Sequence, residues 1–547
     1  MKRFGVFFGN NENRKRLLYT EIVIFFLCFM FCVFAPFEIY LSSKEEFFFE
    51  GYELISFFIL CFGTLFIALS FLNIVCMLLA FRGRILHTFY FSCLFSTGLA
   101  FYIQGNYIIV DYGVLDGNAI NWQDYRLEGL VSQGVFVVFF ILGIILLKKI
   151  EILKYMRIGS SVSGCIMLVQ ILTLSVLMLS SGGLGKEPVY VSTTEGEFSY
   201  SSNENMFVLL LDTFDAQVMN DLLAGEDAEI CKEVLGNFTY YPDTTSTYSN
   251  TYFSVPHIVS GEKATDDMTY DDYIETAYEL ADNEFYRKLA HRGWKCRMYT
   301  DTQLPGAEEE VVFENLNKHI LTVSSHRRLG TYMIKLIGFR YMPQCLKEYF
   351  WFYSDDMKSM ISIESESDEI FYWGNTEFYE GIDSINLSDE KGVFAFYHLE
   401  GTHLPFHTTR DMVRTEEEVG INEEGLAMMN MLDKFFSKLR EMGIYDDSII
   451  VVMADHGHYE YHENPVFMVK GKGEKHDFIT NGNGFTYDDM QNVWCNLLDG
   501  LSADEAVICH EDADRIFYEV DKDELSEMIV TEDLNDTQFT GRVITVE

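Results

Sequence analysis

Long apolar runs dominate the first third of the chain. Five of them approach or exceed the roughly 20 residues that an α-helix needs to cross a bilayer. They cover residues 22–40, 54–81, 85–103, 130–147 and 158–179. This pattern predicts a transmembrane domain of five helices over residues 1–180.

Basic residues mark alternate ends of these runs. They are concentrated in the N-terminal tail, after the second run and after the fourth run, whereas the other two loops hold only Lys44 and Arg126. Cytoplasmic loops are enriched in Lys and Arg, so the pattern predicts a cytoplasmic N-terminus. Five crossings then place everything after Leu179 outside a plasma membrane.

After residue 180 the pattern changes. A glycine-rich stretch over 181–204 predicts a linker, and residues 205–547 predict one α/β domain. Short, fully apolar runs predict strands, amphipathic stretches predict helices, and their alternation predicts a mostly parallel sheet covered by helices on both faces. The strands are expected at 206–211, 294–300, 393–398, 449–453 and 465–469, with edge strands at 515–520 and 541–546. The helices are expected at 284–291, 423–442 and 487–498, with short helices within 305–370.

Charge separates the same two regions. Residues 1–199 carry 15 acidic and 14 basic residues, whereas residues 200–547 carry 68 acidic and 26 basic ones. So acidic a domain argues against a nucleic-acid partner, because nucleic-acid binding relies on Lys and Arg to neutralise phosphates. The eleven cysteines show no CxxC spacing. We therefore expect neither a disulfide framework nor a cysteine metal site.

Candidate ligands follow two of the predicted strands. Asp212 comes directly after one strand, and Asp455 and His456 follow another. The carboxyl ends of parallel strands meet at one edge of a sheet, so these side chains should converge. Carboxylate and imidazole groups are ligands for a divalent cation such as Mn²⁺ or Zn²⁺.

A hydroxyl-rich segment supplies a candidate nucleophile. We expect a helix with Ser254 as its N-cap and Pro256 in its first turn, which places Thr251 just before a helix N-terminus. Backbone N–H groups and the helix dipole favour a bound anion there. Thr251 could then complete the metal site as a fourth ligand and attack a phosphate. The neighbouring hydroxyls remain alternatives: Thr244, Thr245, Ser246, Thr247, Ser249 and Ser254.

Several histidines are further candidates. His403 lies in the loop after the strand predicted at 393–398, where it could hold a substrate oxygen or be a structural histidine. His458, His462 and His476 follow the Asp455–His456 pair and could serve a second metal or an acceptor.

The order of these motifs resembles the alkaline-phosphatase superfamily, specifically its sulfatase-like branch. Residues 251–261, ending in Val259-Ser260-Gly261, resemble the sulfatase signature, and Asp455-His456-Gly457 resembles the superfamily's Asp-His-Gly. Residues 403–406 are similar to its His-x-Pro segment. Five spans before such a domain resemble the layout of lipoteichoic acid synthase-like and phosphoethanolamine transferase-like membrane enzymes.

The resemblance implies a function. It implies an enzyme that moves a phosphoryl-linked headgroup from a phospholipid donor to a cell-envelope glycan or lipid acceptor, through a phosphothreonine at Thr251. In this reading Asp212, Thr251, Asp455 and His456 hold the metal and His403 contacts substrate. Threonine at the nucleophile position is incompatible with the formylglycine chemistry of sulfatases. The alternatives are a sulfatase-like hydrolase that uses water and a non-catalytic sensor or scaffold.

Overall fold

The computed structural model describes most of the chain. The described residues are 10–79, 85–110, 112, 120–266, 268–301, 304, 312–352, 357, 360–363, 369–458, 464–509, 514–530 and 537–546. They form two compact units, one comprising Met1–Glu187 with Ile320–Glu364 and the other comprising Pro188–His319 with Ser365–Glu547. The chain thus leaves the second unit once and returns to it.

The first unit contains the five predicted apolar helices. They span Asn11–Ser42, Glu53–Leu79, Ile85–Tyr107, Arg126–Lys149 and Ile152–Ser180, and all five are long and apolar enough to cross a membrane. The first helix starts well before its apolar run, because Asn10 caps it by accepting a hydrogen bond from the Glu12 N–H, and Glu12 pairs with Arg16 one turn later. A π-helical turn, Met30–Phe34, interrupts this helix just before Pro36, which has no N–H to donate.

The segment Ile320–Glu364 belongs to this unit, although the hydropathy pattern does not signal it. It contains the helices His326–Tyr341 and Gln344–Lys347, a 3₁₀ turn at Glu348–Phe350, and the paired strands Leu321–Val323 and Ile361–Ile363. Leu329, Met333 and Ile337 on the longer helix are buried in one cluster with apolar residues of the first two spans. The short helices expected within 305–370 are therefore present in the described residues.

A seven-stranded sheet forms the centre of the second unit. Its strands lie in the order Ile479–Thr480, Thr239–Tyr240, Phe467–Lys470, Ser448–Met453, Asn205–Leu211, Val393–Leu399, Lys295–Tyr299. The last four are mutually parallel, and Phe467–Lys470 pairs antiparallel to both of its neighbours. The predicted fold class, five apolar helices followed by a mostly parallel α/β domain, is confirmed.

Alternate side chains of the central strand serve opposite faces of the sheet. Met206, Val208 and Leu210 join one buried cluster, whereas Phe207, Leu209 and Leu211 join the other. Because helices cover both faces, every residue of this strand is buried. The described helices of eight or more residues in this second unit are Ala216–Ala224, Thr251–Ser260, Tyr270–Ala277, Glu284–Arg292, Ile421–Glu441 and Met490–Leu498.

Smaller sheets complete the unit. Val189–Ser192 pairs with Leu316–His319 and Ser199–Ser201 pairs with Asn386–Ser388, so residues from the predicted linker contribute two strands to this unit. The C-terminal strands Arg515–Asp521, Glu524–Val530 and Thr537–Thr545 form a separate antiparallel sheet. The two strands expected at the edge of the main sheet therefore belong to a sheet of their own.

Candidate active site

Three buried polar side chains meet where the central parallel strands end. Asp212 directly follows Asn205–Leu211, His398 is the penultimate residue of Val393–Leu399, and Asp455 lies two residues beyond Ser448–Met453. One ligating atom from each lies within 4.8 Å of the other two. The Nε2 atom of His398 is 3.1 Å from Oδ2 of Asp212. Neighbouring parallel strands thus bring together residues that are far apart in the sequence.

Two residues with positive φ, Thr213 and Gly401, lie against Asp212. Thr213 adopts a φ of 53°, which is rare for a β-branched residue, and its N–H donates to Oδ1 of Asp455 over 3.1 Å. Gly401, with a φ of 60°, lies so close to the Asp212 backbone that a Cβ would come within 2.3 Å of the Asp212 nitrogen. Only glycine fits there, which explains why the loop after His398 can lie against Asp212.

Thr251 is the first residue of a helix whose N-terminus faces these carboxylates. Its hydroxyl donates to Oδ2 of Asp212 over 3.3 Å and lies 3.4 Å from Nε2 of His456. The helix is capped by Asn250, whose Oδ1 accepts from the Phe253 N–H over 3.2 Å. The expected placement of Thr251 at a helix N-terminus therefore agrees with the structure, one residue inside the helix rather than just before it.

The prediction that Ser254 is the N-cap of this helix is wrong. Ser254 lies one turn inside the helix, and its buried hydroxyl donates to the Asp455 carbonyl over 2.5 Å. Asn250 takes the cap because its amide oxygen is placed to accept the early N–H groups. Pro256 is consequently in the helix interior, where it leaves the Tyr252 carbonyl without its helical donor. The Tyr270 hydroxyl donates to that carbonyl over 3.2 Å, which compensates for the lost bond.

His456 completes the group of four residues expected to bind a metal. Its Nε2 lies 3.3 Å from Oδ2 of Asp455, and its Nδ1–H donates to the Gly457 carbonyl over 2.7 Å. That second bond fixes the ring so that Nε2 faces Thr251 and Asp455. The structure therefore brings Asp212, Thr251, Asp455 and His456 together.

Two buried oxygens of this group have no hydrogen-bond partner among the described residues. They are Oδ1 of Asp212 and Oδ2 of Asp455. A buried carboxylate oxygen without a donor is costly unless a cation neutralises it. Carboxylate, imidazole and hydroxyl ligands in this number suit a divalent metal, so the residues present fit one.

His398 is a member of this group that sequence reasoning missed. Its Nδ1 lies 3.1 Å from the Thr300 hydroxyl, which leaves Nε2 directed at Asp212. Burial alone would lower the pKa of His398, but the hydrogen bond and the charge of Asp212 raise it above the usual value. The available signal was a histidine inside an otherwise apolar strand, where a buried imidazole needs a partner.

The pKa of Asp212 reflects the histidines around it. Burial would raise this pKa, but the hydrogen bond with His398 and the charges of His403, His398 and His456 hold it below the usual range. Asp212 is therefore favoured in its ionised form, which is the form that binds a metal.

The other predicted histidines differ in their positions. His403 is half-buried beside the Trp373 ring, its Nδ1–H donates to the Leu404 carbonyl over 2.6 Å, and its charge reaches Asp212. His458 is buried with its backbone N–H donating to Asp215 over 3.0 Å. His476 is half-buried next to Glu474, and His462 lies outside the described residues.

Comparisons with known proteins add structural likeness only. No family model matches the chain, and no curated protein matches it. Among solved structures, it is similar to an alkaline phosphatase superfamily protein from Vibrio parahaemolyticus, at 12% identity over 65% of this chain and 84% of that one, with a TM-score of 0.35. It is also similar to the lipoteichoic acid synthase LtaP from Listeria monocytogenes, at 13% identity over 63% and 86%, with a TM-score of 0.34.

A third similar structure is the PsFucS1 sulfatase from Pseudoalteromonas sp., at 11% identity over 67% of this chain and 83% of that one, with a TM-score of 0.37.

Proposed function

We propose that this protein is a membrane-bound, metal-dependent transferase. It would move a phosphoryl-linked headgroup, of the phosphoglycerol or phosphoethanolamine type, from a phospholipid donor to a cell-envelope glycan or lipid acceptor. The observation that carries this proposal is the Thr251 hydroxyl at a helix N-terminus, 3.3 Å from Asp212 and 3.4 Å from His456. A hydroxyl placed there beside buried carboxylates fits nucleophilic attack on a phosphodiester.

Asp212, Thr251, Asp455 and His456 would hold the metal, with His398 orienting Asp212 or joining the ligands. When bound, a divalent cation such as Mn²⁺ or Zn²⁺ would act as a Lewis acid that lowers the pKa of the Thr251 hydroxyl and offsets phosphate charge. The unpartnered oxygens of Asp212 and Asp455 support this assignment.

The first step would join the headgroup to the protein. The Thr251 oxygen, having lost its proton to water, attacks phosphorus as the phosphorus–oxygen bond to diacylglycerol breaks. The backbone N–H groups at the helix N-terminus would stabilise the phosphate oxygens. His403 would protonate the departing diacylglycerol oxygen, which its half-buried position near Asp212 allows.

The second step would release the headgroup. An acceptor hydroxyl attacks the same phosphorus, the bond to Thr251 breaks, and Thr251 regains a proton. Two in-line displacements leave the configuration at phosphorus unchanged. A lipid donor suits a chain with five apolar spans, because membrane attachment raises the effective concentration of lipid near the enzyme.

Covalent trapping tests the nucleophile. Full-length protein incubated with a phospholipid labelled in its headgroup should carry the label on Thr251, identified by mass spectrometry. Thr251→Ala should lose the adduct and at least about 10³-fold of turnover, while Thr251→Ser should keep part of both. Ser249→Ala is the matched control from the same hydroxyl-rich segment and should behave like wild type.

Two results would contradict or redirect the proposal. An adduct on a neighbouring hydroxyl, or unchanged turnover of Thr251→Ala, would remove Thr251 from the mechanism. Release of free headgroup phosphate with no labelled acceptor in envelope extracts would make the protein a hydrolase that uses water.

The proposed location is a plasma membrane, with a cytoplasmic N-terminus and residues 200–547 outside. The basic residues at alternate ends of the spans support this orientation. Protease added to intact cells should digest the second unit and leave an epitope at the N-terminus intact. Protection of the second unit in intact cells, with digestion after permeabilisation, would reverse the orientation.

A further inference from the structure

Lys347 is a buried cation for which the described residues provide no anion. It ends the helix Gln344–Lys347 and is only 3% exposed. Among the described residues, no carboxylate lies within ion-pair distance of its ammonium group. Its Nζ instead lies 5.1 Å from the ring centre of Tyr112 and 5.2 Å from that of Phe339.

Those two rings belong to a cluster of four aromatic side chains. The Tyr112 ring is 4.8 Å from Tyr125, 5.6 Å from Trp122 and 5.4 Å from Phe339. Cation–π contacts of this kind stabilise a desolvated ammonium. Burying an unpaired charge costs more than such contacts return, so the rings offset only part of that cost.

The nearest cation increases this imbalance. The Arg340 side chain donates to Glu38 over 2.8 Å and to the Gly105 carbonyl over 3.0 Å, so its own charge is paired. Burial and the charge of Arg340 together lower the pKa of Lys347 to about 8. A bound anion would raise that pKa again and remove the cost of burial.

The contacts of Gln344 place Lys347 at the end of two membrane spans. The Gln344 backbone N–H donates to the Ser132 hydroxyl over 3.0 Å, and its side-chain amide donates to the Tyr125 carbonyl over 2.7 Å. Tyr125 and Ser132 lie at the start of the span Arg126–Lys149, and Tyr112 follows the end of Ile85–Tyr107. Tyr and Trp side chains are typical of this depth, at the boundary between hydrocarbon and headgroups.

The surroundings of Lys347 suit a lipid better than a free anion. Leu127 and Leu130 on the span, and Leu346 and Tyr349 beside Lys347, are large hydrophobic residues that are 41–76% exposed. Residues 320–352 carry five Lys and Arg against one Glu, within a chain whose net charge is −43. Apolar side chains next to an unpaired cation match acyl chains next to a phosphate.

We propose that Lys347, held among the aromatic side chains of Tyr112, Trp122, Tyr125 and Phe339, binds the phosphate of an anionic phospholipid at the membrane surface. Lys347 would pair with the phosphate, and the exposed leucines would contact the acyl chains. The site uses no residue of the proposed catalytic group, so it holds or fails independently of the proposed transferase reaction.

The affinity of full-length protein in non-ionic detergent for a fluorescent phosphatidylglycerol tests this site. Lys347→Gln should weaken binding about fivefold or more, the effect of losing one cation at a membrane surface. Lys347→Arg should bind within about twofold of wild type, because the charge is kept. Arg327→Gln is the matched control, since Arg327 is an exposed cation on the same segment, and it should also bind within about twofold.

Two further measurements identify the ligand. Phosphatidylcholine and millimolar inorganic phosphate should compete poorly with phosphatidylglycerol. Competition by inorganic phosphate alone at similar concentrations would mean a free-anion site and overturn the lipid assignment. Equal losses of phosphatidylglycerol affinity in Lys347→Gln and Arg327→Gln would mean that the lipid is attracted by the general positive charge of the segment. That result would overturn the role of Lys347.

A labelling test on wild-type protein does not depend on whether a Lys347 variant folds. A photoactivatable phosphatidylglycerol should label the peptide covering residues 342–352, and unlabelled phosphatidylglycerol should prevent this. Labelling confined to other parts of the chain would overturn the proposal. Thr251→Ala should be labelled as strongly as wild type, so loss of catalysis and loss of lipid binding can be told apart.

Discussion

The two compact units of this protein differ in what lies beside their buried carboxylates. In the first unit Glu38 has one oxygen without a partner in the part of the chain that the structure describes, but its other oxygen accepts from Arg340 over 2.8 Å, so an arginine balances its charge. In the second unit the buried carboxylates Asp212 and Asp455 each keep an oxygen without a donor among the described residues. An ion-paired carboxylate holds helices together, whereas two carboxylates that each keep an unpartnered oxygen and bring ligating atoms within 4.8 Å of one another indicate an absent ligand. Burial of a polar residue alone does not distinguish the two.

Metal removal should give the largest effect, because Asp212 and Asp455 would lose the cation that neutralises their unpartnered oxygens. Protein treated with a chelator should lose at least about 10³-fold of its turnover, and Mn²⁺ or Zn²⁺ should restore it. Asp455→Asn should abolish turnover and reduce the bound metal, measured by elemental analysis. Asp446→Asn is the matched control near the other end of the same strand, where an exposed carboxylate pairs with Lys475 over 2.9 Å. Full turnover of metal-free protein would contradict the site.

The two histidines beside Asp212 should differ in what their loss removes. His403→Ala should lower turnover by about 10²–10⁴-fold with the metal content unchanged, as expected for a group that transfers a proton to substrate. His398→Gln should weaken metal binding by about 10–100-fold, because its Nε2 holds Asp212 at 3.1 Å. Metal titration and turnover measured on both variants separate these roles. Metal loss in His403→Ala with retention in His398→Gln would exchange the two assignments.

The sequence predicted the parts of the site that follow a buried strand. Asp212 and Asp455 were found because a charged residue ends a long apolar run, and parallel strands bring such ends together. His398 was missed because it lies inside its strand, where the apolar pattern conceals a polar member. The cap at Asn250 was misplaced because Ser254 also has a capping side chain, and only the backbone path decides between them.

The segment Ile320–Glu364 could not be assigned to the first unit from its sequence. Its helix His326–Tyr341 has apolar positions that fit either a soluble core or a membrane surface. What decides the assignment is long-range pairing, such as Arg340 with Glu38, which lie about three hundred residues apart. Local periodicity carries no information on contacts of that range.

The smallest predicted effect concerns the ion pair of Arg340 with Glu38 in the first unit. Arg340→Met leaves the Glu38 carboxylate and the Gly105 carbonyl without their donor, so the protein should be destabilised by about 1–3 kcal/mol. For a unit of this size that lowers the apparent melting temperature by roughly 5 °C. The double variant Glu38→Gln/Arg340→Met should recover part of the loss, because Glu38 then no longer carries a charge without its partner.

The same measurement on the second unit should have the opposite sign. In metal-free protein, Asp455→Asn removes one of two buried negative charges whose ligating atoms lie within 4.8 Å of one another, so the apparent melting temperature should rise or stay constant. Arg327→Met, which changes an exposed cation, should leave it unchanged. Thermal unfolding of the full-length protein in detergent, followed by intrinsic fluorescence, compares all four variants. A fall in metal-free Asp455→Asn as large as that in Arg340→Met would mean that Asp455 serves packing as Glu38 does, and that its unpaired oxygen does not indicate a ligand.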